Sequence, residues 1–149
     1  MQEETIELYR QLRTSQDKYA YFLLAAVGAS IAFALNQTQG LSLGLSQIPL
    51  GIGILCWGFS FFFGCRHLQY VSSTLCANLE MFKIESGRHP QLGDHPLAQA
   101  AASEGIRSAI ERNSEKSSSY AKLQFRLLIA GVGFYISWHT LEMWLRSSA

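Results

Sequence analysis

Three stretches of the chain carry almost no charged side chains and are long enough to cross a lipid bilayer as helices. They lie near residues 19–35, 48–65 and 127–145. A helix rises about 1.5 Å per residue, so roughly 17 to 25 residues span a hydrocarbon core of about 30 Å. A surface helix of a soluble protein would show a polar face over such a length. The pattern therefore predicts an all-α integral membrane protein with three transmembrane helices.

The charged segments around these stretches divide the chain into four parts. Residues 1–18 are predicted to form a cytoplasmic helix that leads into the first span, and residues 19–65 to hold the first two spans and a short outer loop. Residues 66–123 are predicted to form a cytoplasmic helical hairpin, and residues 124–149 the third span and an outer tail. The serines at 117–119 give either a hinge or a helical join between these last two parts.

The hairpin is predicted because the apolar spacing continues beyond the second span. Steps of three and four run on to about Glu85, so one helix is expected to continue out of the membrane. A second amphipathic helix is expected over roughly residues 95–114, with Pro96 in its first turn. Its apolar side is expected to face that of the first helix across the bend. The predicted assembly positions of the two helices are Leu68, Val71, Leu75, Leu79, Phe82, Ile106 and Ile110.

The distribution of basic residues predicts the orientation of the chain. Residues 66–126 carry eight Lys or Arg and residues 1–18 carry three, whereas residues 36–47 carry no charge. By the positive-inside rule, the N-terminus and the hairpin lie in the cytoplasm and the C-terminal tail lies outside. Arg146, in the outer tail, is a minor count against this arrangement.

The overall composition argues against several classes of function. The formal net charge is +1 and no basic patch with interleaved aromatic residues occurs, so no nucleic-acid partner is expected. The three cysteines lie in or just beyond the second span and fit packing thiols better than a disulfide framework. No Ser-His-Asp order, phosphate-binding glycine loop or pair of catalytic carboxylates is found, so neither enzyme activity nor a cofactor is expected. His89, Asp94 and His95 lack a fourth ligand for a metal site.

Glycine and alanine recur in all three predicted spans. In lipid, small residues let helix backbones approach closely. These positions therefore predict close helix contacts, either within one chain or between copies. The predicted packing positions are Gly28, Ala32, Gly51, Gly53, Gly58, Gly131 and Gly133.

The third span holds two ionisable residues, His139 and Glu142, which lie three apart and so share a helix face. An ionisable side chain inside a membrane is costly and normally faces protein or a water-filled path. Three interpretations stay open: a mutual structural pair, an interfacial pair near Trp138 and Trp144, or the lining of a pore or proton path. His139 is the group expected to respond to pH near neutrality.

Arg88 and His95 have a spacing that resembles the signature of HEPN-type ribonucleases, in which His acts as general acid or base at a phosphate. That motif requires a continuous helix between the two residues, whereas here the intervening residues contain Pro and Gly. A membrane-tethered ribonuclease is therefore the third hypothesis for this chain.

The order of elements is a short charged N-terminal helix, two spans with a small outer loop, and a cytoplasmic helical region. This layout resembles the SLATT-type membrane effectors of bacterial conflict systems. It is also similar to the small pore-forming accessory proteins that accompany some RNA-targeting CRISPR nucleases. The third span departs from the two-span pattern, and no site residues carry over. The resemblance implies an oligomeric bacterial inner-membrane protein that permeabilises or depolarises its membrane in defence against phage.

The leading hypothesis is a non-enzymatic homo-oligomer in a lipid bilayer, whose second or third span lines a conduit. In this hypothesis His139 and Glu142 line the conduit, and the hairpin is the assembly or sensing element. The alternative is a scaffold subunit that recruits a cytoplasmic protein partner through the hairpin helices.

Overall fold

The computed structural model describes residues 2–39, 44–86, 89 and 95–147. The helices within these ranges are α1 (Gln2–Gln37), a 3-10 turn (Leu45–Gln47), α2 (Ile48–Glu85) and α3 (Pro96–Ser147). No strand occurs in the described ranges. The prediction of an all-α chain is therefore confirmed.

α1, α2 and the beginning of α3 agree with the sequence prediction, whereas α3 continues past residue 114, where the second hairpin helix was predicted to end. α1 is one helix from the charged N-terminal segment through the first apolar stretch, and α2 runs on past residue 65 to Glu85. The backbone N–H of Ser86 donates to Phe82 O at 3.0 Å, which satisfies a carbonyl of the last turn of α2. α3 begins at Pro96 and continues through residues 117–119, which therefore form a helical join and not a hinge.

Two of the described helical segments are long and apolar enough to cross a membrane, judged by length and composition alone. They are Arg13–Gln37, within α1, and Leu45–Glu85, which includes α2. α3 is not among them. The third crossing stays a prediction.

The chain divides into two compact units. The first, which we call the three-helix unit, comprises Met1–Gly64 and Leu123–Ala149. It contains α1, the first part of α2 and the second part of α3. The other, which we call the hairpin unit, comprises Cys65–Lys122 and contains the rest of α2 and α3.

The core of the three-helix unit receives side chains from all three helices. Val27 and Ala34 of α1 are fully buried. Leu50 and Trp57 of α2 and Trp138 of α3 are almost fully buried. Four partly buried residues pack against this core: Ile31, Ile54, Leu128 and Tyr135. On each helix the inward positions recur at steps of three and four, as expected for packed helices. On α3 they are Gln124, Leu128, Gly131, Tyr135 and Trp138.

Large apolar side chains also cover the outside of the three-helix unit. They remain exposed on all three helices: Tyr21, Phe22, Phe33, Leu55, Phe59, Phe62, Ile129 and Ile136. Much of the outer surface of the three helices is therefore apolar, whereas the helices of a soluble bundle carry polar outer faces.

The hairpin unit is closed by a face of α2 that the apolar spacing did not predict. Tyr70 stacks on Tyr120 of α3, with ring centroids 5.5 Å apart and planes 16° apart. His67 Nδ1 lies 2.9 Å from Ser117 Oγ and 3.0 Å from Ser117 O. Further along α2, Ile84 is buried. These contacts fix the rotation of α2 about its own axis.

The predicted apolar face of the hairpin splits between inside and outside as a result. Leu68, Val71, Ile106 and Ile110 are half-buried. Leu75, Leu79 and Phe82 are 42%, 56% and 61% exposed. Leu75, Leu79 and Phe82 therefore do not close the hairpin, because the contacts of His67 and Tyr70 turn them outward. Their role in assembly stays a prediction.

Candidate functional site

The carboxylate of Glu142 is held by a residue from another helix of the three-helix unit. Gln47, in the 3-10 turn before α2, donates a hydrogen bond from Nε2 to Glu142 Oε1 at 3.1 Å. Arg146 Nε lies 3.8 Å from Glu142 Oε2, one turn further along α3. The side chain of Glu142 is half-buried, at 17% exposure. Glu142 therefore connects the last turns of α3 to the beginning of α2.

His139 does not pair with Glu142. Both residues lie in the described part of the chain, and no hydrogen bond or ion pair joins them. The imidazole of His139 is exposed and lies parallel to the ring of Tyr135, with centroids 6.4 Å apart and planes 4° apart. Of the three interpretations of this pair, the geometry leaves the interfacial one and the lining of a path.

Small and hydroxyl side chains form one exposed strip of α3 in the three-helix unit. Gly133, Ser137 and Thr140 are exposed and follow one another at steps of four and three. Ser137 Oγ donates to Gly133 O at 2.8 Å, and Thr140 Oγ1 donates to Ile136 O at 2.9 Å. We call Gly133, Ser137 and Thr140 the α3 outer strip. His139 lies about 100° around the helix from Thr140 and about 160° from Ser137, so it is on a different face of α3.

Sequence reasoning named only part of this strip. Gly133 was predicted as a packing position, but Ser137 and Thr140 were not singled out. The spacing of the three residues was the signal that could have found them, since steps of four and three place residues on one helix face.

The structure separates the seven predicted packing positions into two groups. Gly53 and Gly131 do lie at a close helix approach, because a Cβ added to Gly53 would lie 3.2 Å from Gly131 O. The other five are exposed: Gly28, Ala32, Gly51, Gly58 and Gly133. For each of the four glycines among them, no described atom beyond the glycine's own stretch of helix lies within 4 Å of an added Cβ. Contact between copies stays the prediction for these five.

Gln124 is a buried polar residue that the sequence did not reveal. Its side chain is 1% exposed, and its Nε2 has no hydrogen-bond partner. Ser60 of α2, also fully buried, donates from Oγ to Gln124 O at 2.8 Å. Gly64 makes room for the amide, because a Cβ there would lie 2.6 Å from Gln124 Nε2. A polar residue just before an apolar stretch normally marks the end of that stretch, so the burial of Gln124 was not predicted.

Two cations converge on one tyrosine in the hairpin unit. Arg66 Cζ, from α2, lies 5.4 Å from the ring centroid of Tyr70, and Lys116 Nζ, from α3, lies 5.7 Å from it. Arg66 also donates to Gln69 Oε1 at 2.9 Å and to the Tyr70 hydroxyl at 3.5 Å. From the sequence, Arg66 and Lys116 served only to predict the orientation of the chain. Their spacing of fifty residues gives no sign that the two side chains lie close together.

The predicted nuclease pair cannot be placed as a pair. Arg88 lies outside the described residues, as does Asp94, and His95 is exposed just before α3. His89 Nε2 lies 3.8 Å from Glu80 Oε2. Among the residues that the structure describes, no group of three or more His, Cys, Asp or Glu side chains could hold a metal ion.

No protein-family model matches this chain, and neither does a curated protein or a solved structure.

Proposed function

We propose that the protein is a non-enzymatic homo-oligomer of a bacterial inner membrane, in which α3 of each copy borders a polar conduit that depolarises the membrane. The N-terminus and the hairpin unit lie in the cytoplasm, and the three-helix unit crosses the bilayer three times. The observation that carries this proposal is a set of exposed polar groups on α3, namely the α3 outer strip and, on another face of the same helix, His139.

Insertion into a membrane is supported by the position of the apolar side chains. Only 22% of the apolar window in α1 and 28% of that in α2 is buried. A core helix of a soluble protein would bury most of such a window. Phe22, Phe59 and Ile129 are more than half exposed, on three different helices. Exposed apolar side chains on all three helices need a covering, which lipid would provide.

Contact between copies is supported by polar groups that one chain leaves uncovered. Ionisable side chains at membrane depth cost about 3 kcal/mol on insertion scales, so an exposed His139 is disfavoured against lipid. Glycine, serine and threonine are residues through which membrane helices approach one another and form hydrogen bonds. Further copies of the chain, with water between them, would cover both the α3 outer strip and His139. We therefore assign the α3 outer strip and His139 to the centre of the oligomer.

Replacing Ser137 and Thr140 with leucine is expected to lower ion flux at least about tenfold, because apolar side chains narrow the conduit and exclude water from it. The measurement is dissipation of a membrane potential in liposomes that contain the purified protein. Phe22→Leu, on an exposed face of α1, is the control variant and is expected to conduct like the natural chain. Mass determination in mild detergent gives the number of copies for all three proteins.

A natural chain that is strictly monomeric and does not conduct would contradict the proposal. Full conduction by the Ser137→Leu/Thr140→Leu variant would contradict the assignment of the α3 outer strip while leaving a conduit formed by other residues.

A second function, recruitment of a cytoplasmic protein, is favoured by the outward residues of the hairpin unit. Leu75, Leu79 and Phe82 lie at steps of four and three and are all more than 40% exposed. This is the spacing at which a helix presents apolar anchors to a groove or to another helix.

Replacing Leu75 and Leu79 with serine is expected to remove a stoichiometric cytoplasmic partner from the purified complex, because both side chains would otherwise be desolvated at the contact. The measurement is the mass of the complex purified in mild detergent. Leu97→Ser is a matched control, since Leu97 is 88% exposed in the same unit but lies on α3. Unchanged recovery of the partner with the double variant would exclude this surface.

A further inference from the structure

We infer that Arg66, Lys116 and the hydroxyl of Tyr70 bind the phosphate group of an anionic phospholipid. This inference rests on the membrane location proposed above. It assigns a ligand to the cluster in the hairpin unit, and it does not depend on whether the protein conducts ions.

The two cations of the cluster have no acidic partner. Neither Arg66 nor Lys116 has a carboxylate oxygen within 4.0 Å among the described residues, whereas Arg10, Lys83 and Arg146 do. Two positive charges that approach one ring repel each other unless an anion lies between them. The cluster therefore has a net charge that a bound anion would neutralise.

Tyr70 and Arg66 are held in place before any ligand binds. Tyr70 is half-buried and its ring stacks on Tyr120, and the guanidinium of Arg66 is tied to Gln69 Oε1. The Tyr70 hydroxyl accepts a hydrogen bond from Arg66, so its own hydrogen can be donated to a ligand oxygen. A phosphate group at the phenol edge would thus receive hydrogen bonds from Arg66 and Tyr70 and the charge of Lys116. Preorganised donors of this kind lose little entropy on binding.

The chemistry shared by possible ligands is a phosphate group, and the position of the cluster favours a lipid as its source. Arg66 is the first charged residue after the apolar stretch of the second span. In the proposed orientation it lies at the level of the cytoplasmic headgroups, where tyrosine side chains are enriched. Basic pockets at this level bind headgroups such as those of cardiolipin. Inorganic phosphate, in contrast to lipid headgroups, is not enriched at the membrane surface.

The experiment is native mass spectrometry of the detergent-solubilised full chain, incubated with equal amounts of phosphatidylglycerol and phosphatidylcholine. The natural chain is expected to retain phosphatidylglycerol over phosphatidylcholine by about tenfold. The variant Arg66→Gln/Lys116→Gln is expected to lose most of this preference. The control variant Arg107→Gln/Arg112→Gln removes the same net charge from exposed positions of the hairpin unit and is expected to keep the preference.

A salt titration of the natural chain provides a test that needs no variant. The preference is expected to fall between about 0.1 M and about 1 M salt, because screening weakens the contact of exposed charges with the headgroup. If Arg66→Gln/Lys116→Gln and Arg107→Gln/Arg112→Gln showed the same preference for phosphatidylglycerol, the inference would be overturned. Displacement of phosphatidylglycerol by an equal concentration of inorganic phosphate would overturn the lipid as its source. A chain that retains both lipids without preference contradicts only this inference, whereas one that retains no phospholipid contradicts the proposed membrane location as well.

Discussion

The Gly131→Ala variant is expected to have a free energy of unfolding lower by about 2 kcal/mol, because overpacking a core displaces its side chains and backbone. A Cβ at this position would contact Trp57 Nε1 and would lie 2.5 Å from Trp57 Cδ1. Trp57 is 3% exposed, and its Nε1 donates to Leu128 O at 3.3 Å, so the indole cannot move aside without losing that bond. Thermal unfolding in mild detergent, followed by near-ultraviolet circular dichroism, measures the change.

Gly133→Ala is the matched control for this prediction. It lies two residues further along the same helix, and no atom lies within 4 Å of a Cβ added there. Alanine is favoured over glycine inside a helix by about 1 kcal/mol, so this variant is expected to be as stable as the natural chain or slightly more stable. Equal losses of stability in the two variants would show that helix backbone effects, and not the Trp57 contact, govern position 131.

The Trp57→Ala variant is expected to lose about 3 to 5 kcal/mol of stability in the same assay. The substitution removes one of the two tryptophan side chains of the core, its ring contact with Tyr135 at 5.9 Å and its hydrogen bond to Leu128 O. Trp144→Ala, at a position that is 66% exposed on α3, is expected to lose much less.

A double variant separates packing from other causes of this loss. In the Trp57→Ala background, Gly131→Leu is expected to restore part of the stability, because the leucine enters the space that the indole leaves. The coupling between the two substitutions should therefore be favourable and at least about 0.5 kcal/mol. Strict additivity of the two losses would mean that residues 57 and 131 do not share one space.

The end of α2 and the beginning of α3 were predictable because they depend on local spacing. The continuation of α2 to Glu85 and the beginning of α3 at Pro96 follow from apolar steps of three and four and from the preference of proline for the first turn. The rotation of a helix about its axis depends on partners far away in the sequence. That is why the apolar spacing could not show that the Tyr70 and Tyr120 stack turns Leu75 and Leu79 outward.

The candidate site was predictable only in its residue types. His139 and Glu142 stood out because ionisable residues are rare in an apolar stretch, but sharing a helix face does not make them a pair. Glu142 instead bonds to Gln47, ninety-five residues earlier, and His139 lies against Tyr135. Long-range choices of this kind depend on how three helices pack, and no periodicity within one helix encodes them.

The inward positions of α3, which recur at steps of four and three from Gln124 to Trp138, constrain how this chain can change over evolution. Adding one residue within that interval would turn the following part of the helix by about 100° against the preceding part. Gly131 or Trp138 would then leave its place opposite the other helices, although hydropathy would hardly change. Related chains are therefore expected to tolerate many exchanges of one apolar residue for another in this interval, but no change in its length.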